Sequence, residues 1–396
     1  MIYLLIIFLL LVLIYHFDIK RTRQNRDFWY HIVLIIFVLV AGLRYRVGID
    51  TPIYVEDYFH DTPELMNFKA EEWSNSVLWL LLCSLGRTIG VKFFVLQLIE
   101  AAFVNIVIFK YIRKHSPYIF TCVFFFFIWM YASYCMEAMK AGFSMAICLY
   151  ANDYIKEKKW IYGLLLFLVA TLFHSSSLLI LAFSFISVFR FNTLGLLLLA
   201  GSFFAGIVVE DKFGDIISLL SFDDYIQNKA EAYSESDRYS LMTGKNIFYY
   251  LYHYAPMVFS SLMSFYVVKK GKINSNLMKL EPMLFMGVLT YIISANIIIF
   301  FRIYYFYVIY IILFISQASV DVVRRNKIYG KYSGFMAFCV LIPFFFFVYT
   351  TYSGDRWMRY IPYSSVIEKS VDWKRERMYD NVRLSRINPS PNKNEY

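Results

Sequence analysis

The chain has 396 residues, 59% of them hydrophobic and only 17% charged, with a formal net charge of +10 and a mean hydropathy of +0.53. A soluble domain carries roughly 25% charged residues, so this composition excludes a soluble globular protein and fits an integral membrane protein. The positive charge sits mainly in short loops between apolar runs, where the positive-inside rule accounts for it without a nucleic-acid partner.

The first run, "MIYLLIIFLLLVLIYHF", has no basic stretch ahead of it and no small-residue cleavage site. Its positive charges follow, in "DIKRTRQNR", so it reads as a retained first span with its start outside. A spanning helix needs about 20 apolar residues, with about 17 tolerated, and on that measure about twelve spans are expected. They lie near 2–17, 28–43, 92–112, 117–135, 140–155, 160–173, 175–189, 193–209, 247–268, 281–300, 303–321 and 333–352. "SVLWLLLCSLGRTIG", interrupted by Gly86 and Arg87, reads as an interfacial or re-entrant helix. The expected fold is all-α: a polytopic transmembrane helix bundle over 1–352, with extracytoplasmic loops near 44–75 and 210–246, short interfacial helices, and a C-terminal extramembrane tail over 353–396.

Charge tests the topology. With loop 18–27 in the cytoplasm, "KYIRKHS", "KEKK", Arg190, "KKGKINSNLMK" and "RRNKIYGK" fall on the same side, a consistent positive-inside pattern. The two long loops, rich in Asp and Glu, face outward. The tail "DWKRERMYDNVRLSR" also falls outside, against the charge rule. The five cysteines, Cys83, Cys122, Cys135, Cys148 and Cys339, lie in or beside apolar runs with no CxxC spacing. They read as small buried hydrophobes, not disulfides or metal ligands.

In that topology the unusual polar residues gather on the outer side. "RYRVGID" places Arg44, Arg46 and Asp50 at the start of the first outer loop. Arginine offers a planar fork of donors suited to phosphate, Gly48 permits a sharp turn or a close approach, and Asp50 can orient an arginine or accept a hydroxyl proton. Interfacial snorkelling would place arginines there with no ligand. Their density favours a site. His174, in "ATLFHSSSLLI", interrupts an apolar run, where ionisable residues are costly and tend to be functional. It could serve as a general base or donate to an oxyanion, or be satisfied by a neighbouring helix. Arg302, in "IIIFFRIYYFYVIY", needs an anionic partner or must snorkel; the adjacent Tyr304 and Tyr305 suit a sugar or an interfacial belt. Glu137 and Lys140 open the fifth span and His253 the ninth. No HExxH, Cys/His spacing, GxSxG or phosphate-loop motif occurs, so no metal and no cofactor is expected.

Taken together, "GLRYRVGIDTPIY", "FHSSSLL", "FRIYYF" and the closing "YIPYSSVI" resemble the EpsG-like group of bacterial polysaccharide polymerases, related to the Wzy-type O-antigen and exopolysaccharide polymerases. The resemblance implies a membrane glycosyltransferase of the bacterial cytoplasmic membrane with its active site facing outward. It would polymerise oligosaccharide repeat units carried on undecaprenyl diphosphate, with the lipid bilayer as its solvent and a chain-length regulator and a flippase as associated proteins. It implies diphosphate binding by Arg44, Arg46, Arg302 and Lys140, and catalysis by His174 with Asp50 as the other candidate base. Glu137, His253, Tyr304 and Tyr305 would line the substrate. The family commonly has an Arg-Gln pair where this chain has Lys140 and Ala141; the charge is kept and the bidentate fork is lost. An O-antigen ligase shares the donor chemistry. A lipid-linked oligosaccharide flippase would need polar residues at several depths and pseudo-repeats, and neither is evident.

Overall fold

The structure is a computed structural model that describes residues 2–69, 76–186, 189–210, 247–271, 274–297, 300–324, 330–354 and 356–387. Most of the second expected outer loop, 211–246, lies outside the described residues, as do 70–75 of the first loop and 388–396 of the tail. The described residues are about 80% helical, with no strand among them. In order, the helices are α1 Ile2–Leu13, α2 Arg26–Gly42, α3 Thr51–Glu56, α4 Val77–Ile89, α5 Phe93–His115, α6 Ile119–Trp129, α7 Met139–Lys156, α8 Trp160–Phe173 and α9 Ser177–Ile186. They continue as α10 Thr193–Glu210, α11 Ile247–His253, α12 Ala255–Gly271, α13 Ser275–Met278, α14 Glu281–Ile293, α15 Phe300–Tyr305, α16 Val308–Arg324, α17 Ser333–Tyr352 and α18 Trp373–Ile387.

Three stretches among the described residues are long and apolar enough to cross a membrane: Ile2–Ile19, Phe93–His115 and Gly330–Tyr352. Shorter apolar helices are Val77–Ile89, Ile119–Trp129, Trp160–Phe173, Thr193–Phe204 and Glu281–Ile293. Several apolar runs that look continuous in sequence are built from pieces. The run expected over 117–135 ends its α-helix at Trp129 and resumes as a π-helical turn over Ser133–Glu137. The run near 303–321 is divided between α15 and α16. The pair 160–173 and 175–189 separates at His174, whose extended backbone ends α8.

Burial separates the axis of the bundle from its rim. Every residue of α16 from Val308 to Val322 is buried, a helix apolar on most sides enclosed by α6, α12 and α17. On the rim, α8 buries only Gly163, Phe167 and Ala170, a narrow stripe at helical spacing. A Cβ at Gly163 would stand 2.7 Å from Ile155 Cδ1, so that glycine lets α8 lie close on α7. Ile161, Leu165 and Leu168 point away from the protein, as lipid-facing side chains do.

Ion pairs gather toward the two ends, while neutral polar side chains such as Asn105, Ser144 and Thr290 are also buried along the helices. At one end the basic segments meet. Arg113 pairs with Asp27 at 2.9 Å. Asp18 accepts from the Thr121 backbone N–H at 2.7 Å and its hydroxyl at 2.8 Å. Tyr118 donates to Asp321 at 2.8 Å, Asn274 to the His115 carbonyl at 3.2 Å, and Asp153 accepts from Lys114 at 2.7 Å and Tyr111 at 3.0 Å. All of these come from, or adjoin, the loops that the charge pattern assigns to the cytoplasm. The "RYRVGID" loop lies at the opposite end, together with residues 133–140 and the chain after α17.

Candidate functional site

Helix α2 ends against α5 with almost no space between backbones: a Cβ at Gly42 would lie 2.8 Å from Leu98 Cα. The next turn leads straight to Arg44, which is fully buried. Its Nη1 donates to the Ala41 carbonyl at 2.6 Å, while Nε and Nη2 have no hydrogen-bond partner. The chain then turns through two left-handed residues, Arg46 at φ +50° and Gly48 at φ +89°. Gly48 is required twice over, because a Cβ there would also lie 2.8 Å from the Met136 carbonyl oxygen. Gly48→Ala is therefore expected to cost about 1–3 kcal/mol, read as a lowered midpoint of thermal unfolding in detergent.

Beneath Arg44 lies Glu100 of α5, fully buried, with no hydrogen bond to either carboxylate oxygen. Arg44 and Glu100 are each other's leading opposite charge. Gly142 of α7 makes room for the carboxylate; a Cβ there would meet Glu100 Oε1 at 3.0 Å and collide with the Tyr134 carbonyl. Burial holds the Arg44 guanidinium below its ordinary pKa, with Glu100 opposing that shift. Tyr363 donates to the Val40 carbonyl at 3.0 Å. Burial pushes its hydroxyl up to about 12, so it stays neutral beside Arg44.

Glu137, at the end of the π-helical turn, joins three segments. Its Oε1 accepts from the Ile49 backbone N–H at 3.2 Å and faces Arg359 Nη1 at 3.4 Å; its Oε2 accepts from the Tyr360 hydroxyl at 2.6 Å. The chain after α17 covers the loop. The Tyr45 N–H donates to the Ser364 carbonyl and the Val366 N–H to the Leu43 carbonyl, both at 2.8 Å, and the Gly48 N–H donates to the Arg359 carbonyl at 2.9 Å. Arg46, partly exposed, forks onto Glu376 through Nε at 2.7 Å and through Nη2. That pairing holds its guanidinium above the ordinary arginine pKa.

The other sequence-selected residues border this region. Asp50 is half-buried at the start of α3, with its charge close to the Tyr54 hydroxyl. Lys140, in the first turn of α7, lies over the Tyr54 ring at 5.7 Å. It adjoins a satellite cluster of Tyr58, Trp79, Phe93, Met139 and Phe143. His174 follows Phe173, which stacks on Phe143 at 4.6 Å and 8°, so one aromatic pair carries the histidine to the start of α7. Its Nε2 lies 3.3 Å from Ser176 Oγ, and Ser177 Oγ donates to its carbonyl at 2.9 Å; the serines brace the turn itself.

Arg302 is exposed on α15. That short helix is fixed through the Tyr134 hydroxyl, which donates to the Tyr305 carbonyl. Tyr305 lies near the charges of Glu137, Arg356 and Arg359. Tyr304 is enclosed, with its ring 4.7 Å from Tyr291. His253 joins the same aromatic band: its carbonyl accepts from Tyr291 at 2.9 Å and its ring lies 4.5 Å from Tyr249. Arg44, Arg46 and Asp50 thus share one loop, which Glu137 holds through the Ile49 N–H; Lys140 and His174 border it through the satellite cluster, Tyr305 of α15 lies near the charge of Glu137, and Arg302 is exposed on the same short helix.

Glu100, Arg359, Tyr360, Arg375 and Glu376 were not among the sequence candidates. Glu100 carried a signal, a lone carboxylate inside "FFVLQLIEAAFVNIVIF", where such groups are expensive. Tyr360 opens the "YIPYSSVI" stretch that carries part of the resemblance; Arg359, Arg375 and Glu376 carried no signal, because charges after the final apolar run read as solvated. Among the described residues no three His, Cys, Asp or Glu side chains converge as a metal site would require.

No curated protein and no solved structure matches this chain significantly. The EpsG family matches over residues 27–365, which includes the loop, Glu137, Lys140, His174, Arg302 and the segment paired with the loop, and the chain belongs to that family.

Proposed function

We propose that this protein polymerises undecaprenyl-diphosphate-linked oligosaccharide repeat units at the outer face of the bacterial cytoplasmic membrane, in O-antigen, capsule or exopolysaccharide synthesis. Membership of the EpsG family supports a polysaccharide polymerase-type activity. The observation that carries the finer reading is the segregation of charge. Apart from the basic helix α18, which packs on the arginine loop, the basic loops meet at one end of the bundle and the arginine loop lies at the other, which supports an outward-facing site by the positive-inside rule. About twelve crossings, several of them broken, complete this topology.

The chemistry follows from what an outward-facing arginine cluster can stabilise. The acceptor sugar hydroxyl attacks the anomeric carbon of the donor repeat unit, and the anomeric C–O bond to the diphosphate breaks. Negative charge develops on the leaving diphosphate, and fixed guanidinium groups stabilise it most where water is excluded. Arg46 and Arg302 reach solvent and contact it directly; Lys140 adds a point charge, and Arg44 contributes from beneath. The hydroxyl proton passes to His174, or to Asp50 in the alternative assignment. A single displacement with inversion, using no metal, is the working scheme.

Deleting the gene is the decisive experiment. Single repeat units, exported but unextended, are expected at the cell surface. Long polymer stranded on the lipid carrier would indicate a ligase instead, and repeat units facing the cytoplasm a flippase. In the complemented strain Arg302→Ala is expected to abolish long polymer while the protein still inserts, as judged by glycan gel profiles and membrane fractionation.

A further inference from the structure

Helix α18 begins beyond the part of the chain that the family match covers, yet it makes the densest set of contacts with Arg46. Arg375, only 2% exposed, spans three backbone carbonyls: Nε to Met358 at 3.1 Å, Nη1 to Arg46 at 2.9 Å, and Nη2 to Pro362. Tyr379 donates toward the Arg46 carbonyl at 2.6 Å and the Gly48 carbonyl at 3.2 Å, and its ring lies 5.6 Å from the Arg46 guanidinium carbon. Glu376, between them on the same helix, takes the Nε/Nη2 edge of Arg46. One helix therefore meets the backbone, the guanidinium face and one hydrogen-bonding edge of a single arginine.

That arginine stands in a left-handed backbone conformation at φ +50°, which a side chain with a Cβ adopts only when its surroundings impose it. Here the three α18 residues hold it, together with the Tyr45–Ser364, Gly48–Arg359 and Ile49–Glu137 hydrogen bonds on either side. With the Nε/Nη2 edge on Glu376, the Nη1 side of the fork remains for an incoming oxyanion, and arginine binds such groups best when the fork is held in advance.

We infer that Arg375, Glu376 and Tyr379 are positioning residues for Arg46, so that the C-terminal helix is a working part of the anion site. This rests on the reading of Arg46 as a diphosphate ligand. The sign of one effect separates positioning from charge alone. Removing the Glu376 carboxylate takes a negative charge away from an anion site, which by itself would tighten anion binding. Loss of a positioning group loosens it.

The test uses full-length protein in lipid nanodiscs with inorganic pyrophosphate as the probe. Glu376→Gln is expected to weaken pyrophosphate binding about tenfold, the scale of one charge-assisted hydrogen bond. In an Arg46→Ala background the same substitution is expected to change nothing further. Unchanged or tighter binding in Glu376→Gln, or an effect that adds to Arg46→Ala, overturns the inference. Amide hydrogen exchange decides independently of ligand: Tyr379→Phe and Glu376→Gln are expected to raise exchange at residues 45–48 and leave α16 protected. Unchanged exchange there refutes the positioning role even if polymerisation proceeds. If wild-type protein fails to bind pyrophosphate while exchange rises as expected, the diphosphate reading fails and the clamping of the loop stands.

Discussion

Arg44→Ala is expected to lower stability by about 1–3 kcal/mol, the cost of leaving the buried Glu100 carboxyl without the cation that offsets its burial. Arg44 and Glu100 are both fully buried, and Glu100 receives no hydrogen bond. The Arg44 guanidinium offsets part of the cost of burying that carboxyl in a low-dielectric interior. Thermal unfolding in detergent reads the loss. The companion measurement is the double variant with Glu100→Gln: once the carboxylate is neutral, the penalty of burying it alone disappears, so the double variant should be more stable than Arg44→Ala. If the double variant is the less stable of the two, the pair does not act as a unit. Polymer formation is expected to fail in Arg44→Ala and to stay lost in the double variant, because restoring charge balance does not restore the guanidinium.

Glu137→Ala is the second large effect. Its carboxylate accepts from the Ile49 N–H and the Tyr360 hydroxyl and faces Arg359. Hydrogen bonds to charged groups contribute about 1.5–3 kcal/mol each, and these three share one acceptor group, so a total of about 3 kcal/mol is expected rather than their sum. The consequence is local. The loop of Arg46 and the chain over 356–362 lose their common anchor, and limited proteolysis should cut both segments faster. Glu137→Gln keeps an acceptor oxygen and is expected to lose only about 1 kcal/mol. Equal damage from Gln and Ala would show that net charge, not acceptance of these donors, is what matters at this position.

The features that the sequence makes plain are those set by composition over many residues. Helical content, the division of basic loops from the arginine loop, and the start of α8 and its end before His174 all follow from runs of apolar residues and the charges between them. Breaks inside those runs do not. The sequence of 117–135 is apolar throughout its middle, and nothing in its pattern announces that the α-helix stops at Trp129. That interruption is set by packing around Tyr131 and Tyr134, whose hydroxyls reach the Phe37 and Tyr305 carbonyls on other helices. In the site, Arg44 and Arg46 look equivalent as the two arginines of "RYR". Tertiary context makes them opposites, one enclosed above Glu100 and one open and forked onto Glu376. The tail was the least legible part. Its charges suggest a solvated segment, whereas Arg375 is buried against the Met358, Pro362 and Arg46 carbonyls, which converge only once the tail has folded onto the loop.

The pairing of the loop with the tail also orders events in time. Arg375 and the Arg46 carbonyl it holds are 329 residues apart in sequence. At a synthesis rate of about 5–20 residues per second, the loop leaves the ribosome roughly 15–65 s before its holder. During that interval all the intervening helices must be inserted, and the tail must then reach the same side of the membrane as the loop. A chain that ends between α17 and α18 therefore carries the arginine loop without the hydrogen bonds that Arg375, Glu376 and Tyr379 give it.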